Sequence, residues 1–183
     1  MQIMYMDIAI PDDCYELAPR LKQLDKYEIA SLGYDPLRAL LYPFRYYKKN
    51  TITFSLFNNK HQVIAMWGVC PIYKHQTTGK IWFLSTEEPF TNFVKFCKGN
   101  IIFVRYVEEH FRYLFNTCSF EQTKTIRWLK FLGFTFKNTP VLVKGQKMLY
   151  FYKKPNIKVF RGVKPILKHL GPRYWATQKN KNG

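Results

Sequence analysis

The chain has 183 residues, 47% hydrophobic and 18% aromatic, which excludes a disordered polypeptide and suits one domain with a packed core. Its 29 Lys and Arg against 12 Asp and Glu give a formal charge of +17, which attracts nucleic acid, phosphorylated ligands or acidic surfaces. Four scattered cysteines and four histidines without ligand spacing argue against a metal or a disulfide framework, and no apolar run approaches the ~20 residues of a membrane span.

The N-terminus carries acids early and lacks a basic stretch, so it is not read as a secretory signal, and the free cysteines fit a reducing compartment. Residues 4–10 read as a first strand ended by Pro11. Asp12 or Asp13 then caps a helix with Leu17, Leu21, Leu24 and Ile29 as its apolar stripe, and Pro19 predicts a break or a late start. Asp35 and Pro36 form the cap and first position of a further helix, LRALLYPF. Residues 51–57 alternate as a strand, 58–60 make a hairpin turn, and 62–69 return as the partner. Residues 80–85 (KIWFLS) are a largely buried strand, and 88–113 are helical with an interruption at Lys98-Gly99-Asn100.

A more informative segment follows. In YLFNTCSFEQTKTIRWLKFLGF, residues 113–134, a short strand leads through a turn into an amphipathic helix. Ile126, Leu129 and Leu132 share one face, Gly133 supplies a left-handed cap, and Phe134 restarts a strand. Residues 134–137 and 147–152 are the last strand pair. The order β-α-α-β-β-β-α-β-α-β-β describes an α/β fold with a mixed, mainly antiparallel central sheet flanked by helices. Two parallel strands that splay apart would leave unpaired backbone groups, a notch able to bind an amide-rich arm.

Residues 153–183 hold nine of the cations and no acid. They read as a basic C-terminal extension to a domain of residues 1–152, and their apolar residues predict packing on that domain or ordering on a partner. The lysine accompanies a general richness in Asn, Ile, Tyr and Phe, so charge alone does not establish nucleic-acid binding. Tyr42, Phe44, Tyr46 and Tyr47 interleave with Arg45, Lys48 and Lys49, either as a stacking surface for bases or as core and rim packing.

The order of elements resembles the GNAT (N-acetyltransferase) fold, and more narrowly the acetyltransferase-like internal virion protein A family of short-tailed phages. The resemblance is carried by LKQLDKYEIASLGYDPLRALL (residues 21–41), KIWFLST (80–86) and YLFNTCSFEQTKTIRWLKFLGFTF (113–136), and covers roughly residues 4–152. It implies acetyl-CoA as a cofactor, with no metal, seated between the fourth and fifth strands. Phe83, Leu84 and Ser85 would border the donor, and Gln122 stands where family members place an Asn at the start of the last helix. Glu28 is the position for a general base, with Asp25 a helical turn earlier sharing its environment. The narrower family implies a virion or virion-assembly protein, found in the virion or host cytoplasm, with weakened or lost chemistry. Its partners would be other virion proteins or DNA bound through the tail, without membrane insertion. The alternative is an active enzyme that acetylates a host or phage amine.

Two departures separate the chain from enzyme-type members. In place of their glycine-rich turn, which cradles a diphosphate, the fourth strand is followed by Thr86-Glu87-Glu88-Pro89, where carboxylates repel phosphate and Pro89 offers no amide. Lys98-Gly99-Asn100 before a helix start is the substitute anion site, or else an ordinary turn between two helices. The family's proton-donating Tyr is replaced by Leu129.

Overall fold

A computed structural model describes residues 4–46, 51–72, 75–154 and 171–173. The interleaved run at Tyr47–Lys49 and residues 155–170 and 174–183 of the basic extension lie outside these. β1 (Tyr5–Ile8) leads into α1 (Pro11–Leu17), a 3-10 turn (Ala18–Arg20) and α2 (Gln23–Ser31). Pro19 thus separates two helices, and three helices precede β2 where two are expected from the sequence. Asp13 Oδ2 accepts from Ile10 N at 3.1 Å and so fastens the start of α1. α3 (Pro36–Tyr46) begins at Asp35, whose Oδ1 accepts from Arg38 N at 2.9 Å, a side-chain cap with proline in the first turn.

β2 (Ile52–Phe57), β3 (Val63–Ile72) and β4 (His75–Ser85) follow as a meander. A 3-10 turn (Glu88–Asn92) opens α4 (Phe93–His110), and then come β5 (Tyr113–Ser119), α5 (Thr123–Phe131), β6 (Thr135–Phe136), β7 (Val141–Val143) and β8 (Gln146–Lys153). Gly133 closes α5 at φ 83°, with Phe134 N donating to Leu129 O at 3.0 Å, a turn that an L side chain would strain.

Among the described residues, eight strands form one sheet in the order β1-β2-β3-β4-β5-β8-β6, with β7 also paired to β8. Among the described pairs only β4–β5 is parallel. This is the α/β arrangement of a mixed central sheet flanked by helices. One core joins alternate residues of β2–β5 to α4 and α5, including Trp67, Phe103, Leu114 and Trp128. A second joins the opposite face to α1, α2 and α3 through Leu17, Ile29, Leu40 and Met66.

α4 runs unbroken through Lys98, Gly99 and Asn100. The expected interruption is therefore corrected: Phe96, Phe103, Val104 and Val107 recur at helical spacing and are buried. That burial outweighs the ~1 kcal/mol that a single interior glycine costs.

Of the basic extension, Gly171–Arg173 is described, and it packs on β1. Gly171 N donates to Met6 O at 2.8 Å and Arg173 N to Asp7 Oδ2 at 2.8 Å. The Arg173 guanidinium bridges both oxygens of buried Asp13, at 3.0 and 2.8 Å, and lies over the Phe57 ring. A side chain at position 171 would meet Asp7 Oδ2 at 2.5 Å, so the close approach requires glycine there.

Candidate functional site

β4 and β5 are joined through Thr78↔Tyr113, Gly79↔Leu114 and Lys80↔Phe115, yet β4 continues to Ser85 and β5 to Ser119. The strands part at Asn116. Its Nδ2 donates to Ile81 O at 2.7 Å, and its Oδ1 accepts from Thr117 N at 2.8 Å. A side chain takes the place of the next ladder bond, and beyond it the two strands offer their edges to a notch.

A cavity of about 490 Å³ is lined by residues on both faces of the sheet around that notch. This volume suits a small ligand, for which about 300–1,000 Å³ is usual. Trp67, Phe83, Phe103 and Trp128 line it toward α4 and α5; Tyr34, Tyr42, Trp82 and Leu84 line it toward α2 and α3. Phe83 lies 4.7 Å from Trp128 and 5.6 Å from Phe96, centroid to centroid, so the α4–α5 side is an aromatic chamber. The buried indole N–H groups of Trp67 and Trp128 have no hydrogen-bond partner among the described residues.

A buried polar network closes the wide end of the notch. Lys22 Nζ pairs with Asp25 Oδ1 and donates to Gln122 Oε1 at 2.8 Å. Gln122 Nε2 donates to Asp25 Oδ1 at 3.0 Å and to Glu28 Oε2 at 2.8 Å. The same Glu28 oxygen accepts from Ser119 N at 3.1 Å. Ser85 is tied in by its amide, donating to Asp25 Oδ2 at 3.0 Å, and by its carbonyl, accepting from Lys22 N at 2.9 Å. α2 thus bridges the C-terminal ends of β4 and β5. Burial raises the Glu28 carboxyl above its ordinary value; the Ser119 and Gln122 hydrogen bonds oppose that rise, and nearby Asp25 adds to it. Cys118, on the cavity wall, is pushed up to about 12 by burial and by the neighbouring Glu28, which favours the thiol over the nucleophilic thiolate.

Of the residues singled out from the sequence, Glu28, Phe83, Leu84 and Gln122 line this cavity. Ser85 stands at its polar end, with a buried hydroxyl that has no partner among the described residues. Lys98 and Gly99 fall within α4 and do not precede a helix start. Asn100 is buried in the same helix, where its Nδ2 donates to Phe96 O at 2.7 Å. The turn geometry expected of these three for holding an anion is absent. Asn116 and Trp82 escaped sequence reasoning, as did the burial of the Lys22–Asp25 pair. The signal for the pair was the spacing Lys22, Asp25, Glu28 on one helix face, which equally suits a solvated row of charges.

The notch fits an amide-bearing thioester arm; the turn after β4 does not fit a diphosphate. Thr86 N donates to Ile64 O, Glu88 N to Thr86 Oγ1, and Phe90 N to Glu87 O, so these amides are engaged within the protein. The Glu88 carboxylate faces the Asn58 amide at 3.1 Å, and a phosphate beside Glu87 and Glu88 would meet like charge. Leu129 is buried on the cavity wall and has no acidic proton to donate.

No protein-family model and no curated protein sequence matches the chain. Solved structures do resemble it. The ribosomal-protein-S5-alanine acetyltransferase of Vibrio fischeri is 13% identical with a TM-score of 0.59, covering 84% of this chain and 93% of its own. An acetyltransferase of the GNAT family from Streptococcus pneumoniae is 13% identical with a TM-score of 0.56, covering 84% and 100%. The spermidine N-acetyltransferase of Vibrio cholerae, solved with CoA and spermine, is 12% identical with a TM-score of 0.54, covering 83% and 95%. Its element order, its parted parallel strand pair and these likenesses together show that the chain has the fold of the GNAT acetyltransferases.

Proposed function

We propose that the chain is an N-acyltransferase that moves an acyl group from a thioester to an amine. The supporting observation is the position of Glu28. Its carboxylate lines the cavity beside the notch, fixed by Ser119 N and Gln122 Nε2 and raised toward the pKa range where it can take a proton. An acyl thioester such as acetyl-CoA supplies the activated carbonyl when bound, and the strand edges lying between the Asn116–Ile81 bond and the bonds of Ser85 and Ser119 to α2 would hold its arm. The amine nitrogen forms a bond to the acyl carbon as the carbon–sulfur bond breaks. Glu28 takes the proton the amine loses. The departing thiolate takes its proton from solvent, since Leu129 offers none. Incubation with acetyl-CoA and a panel of amines, read by free-thiol release and product mass, tests this: acylated amine is expected, and no turnover with any amine contradicts it.

A second reading is a scaffold that keeps the fold without the chemistry, serving as the phage virion or assembly protein that the sequence resemblance implies. The acidic turn Thr86-Glu87-Glu88-Pro89 and the leucine at 129 favour it. On this reading the partners are other virion proteins, or DNA held by the basic extension, in the virion or host cytoplasm. Absence of acetyl-CoA binding at millimolar concentration, with co-sedimentation on virion proteins, supports it.

A further inference from the structure

We propose that the α2–α3 side of the cavity selects a monoamine carried on an aromatic or apolar body and rejects polyamines, an inference that rests on the acyltransferase reading of the same cavity. The charge pattern leads to this. At the inner end stand two carboxylates, Asp25 and Glu28. Asp25 is already paired with Lys22 and bonded to Ser85 N, which leaves Glu28 to receive one positive charge.

The walls between inner end and rim are rings. Tyr34 and Tyr42 meet edge to face with centroids 6.2 Å apart, and the indole of Trp82 lines the same space. Such faces attract an ammonium group and the aryl or alkyl body behind it. The rim is cationic. Lys80 is exposed and lines the cavity, the Arg38 guanidinium lies 5.9 Å from the Tyr34 centroid, and Lys144 Nζ donates to the carbonyl of cavity-lining Leu32 at 2.9 Å. One carboxylate at depth, with three cations outside against the exposed carboxylate of Asp35 beside Arg38, accommodates a single charge that goes inward. A second charge, carried several ångströms behind the first, would lie against like charge, and the formal +17 of the chain adds long-range repulsion.

Calorimetric titration of the full chain at low salt with 2-phenylethylamine and with spermidine, without an acyl donor, tests the inference. 2-Phenylethylamine should bind at least tenfold more tightly. Lys80→Glu, at an exposed position, should strengthen spermidine binding threefold or more, and Glu28→Gln should weaken 2-phenylethylamine binding about tenfold. Spermidine binding equal to or tighter than that of 2-phenylethylamine overturns the inference, as does no binding of either. Binding of 2-phenylethylamine without acyl transfer on adding acetyl-CoA supports the pocket while removing the enzymatic reading. Transfer to spermidine but not to 2-phenylethylamine keeps the enzyme and overturns the selectivity.

Discussion

The Ser119 amide donates to the Glu28 carboxylate at 3.1 Å, tying the middle of α2 to the last residue of β5, 91 positions later in the chain. With Gln122 Nε2 at 2.8 Å on the same oxygen, the contact holds a raised carboxyl at the edge of the notch. Replacing it by an amide keeps the shape and removes the base. Glu28→Gln should lower acyl-transfer kcat by about 10²–10⁴-fold, with far-UV circular dichroism unchanged. Unimpaired turnover would exclude Glu28 as the proton acceptor.

The same carboxyl makes stability depend on pH. Its folded value lies above the ordinary 4.5, so the folded state holds the proton more tightly than the unfolded one. Stability that the wild type has at low pH is lost as pH rises from about 4.5 through the raised value. Urea denaturation from pH 4 to 8 should show wild type losing stability relative to Glu28→Gln across that window. A difference independent of pH would mean that Glu28 is not raised.

Lys22 and Asp25 are a buried ion pair within the network that joins α2 to both strand ends. Lys22→Met removes the cation and leaves Asp25 in a water-poor site, at a cost of about 3–5 kcal/mol by urea denaturation. Adding Asp25→Leu should recover only part of that loss, because it removes the unpaired charge but takes the acceptor from Ser85 N and Gln122 Nε2. A single variant as stable as wild type would show that the pair is solvated.

Much of the fold was legible because its signals are local. Asp35 with Pro36, and Gly133 after an apolar stripe, mark helix ends through the chemistry of a single turn, and both caps stand where that chemistry places them. The parted strands were legible through family resemblance. Asn116, which occupies the first missing rung, was not, because nothing in its neighbours distinguishes it from a strand residue. Lys98-Gly99-Asn100 misled for the opposite reason. A glycine beside a lysine and an asparagine has turn chemistry, but the buried face of α4 extends across it. β7 is three residues long and borders a turn at Lys144 and Gly145, too short for alternation to show. The Lys22–Asp25–Gln122–Glu28 network spans 100 positions between its first and last members in the chain, so only tertiary structure reveals that a charged row is buried.

Three thiols report on whether the interior is closed. Burial pushes Cys14 and Cys118 up to about 12 and Cys70 to about 11. In a Cys97→Ser background, Ellman's reagent at pH 8 should label less than one thiol per native chain, and all three in urea. Rapid native labelling of Cys118 would mean that the cavity wall opens to solvent.

Arg173 holds part of the basic extension against β1 through buried Asp13, to which Ser55 Oγ also donates at 2.7 Å. Arg173→Ala leaves that carboxylate two neutral donors, Ile10 N and Ser55 Oγ, and should cost about 1–3 kcal/mol by thermal or urea denaturation. A variant with wild-type stability would show that the tail is not anchored by this pair.

Hydrogen exchange of backbone amides with and without acetyl-CoA tests the central claim most directly, since it reads the notch itself. Saturable protection of residues 81–85 and 116–119, retained in Glu28→Gln, is the expected result. Unchanged exchange on both strand edges at millimolar acetyl-CoA would contradict the account.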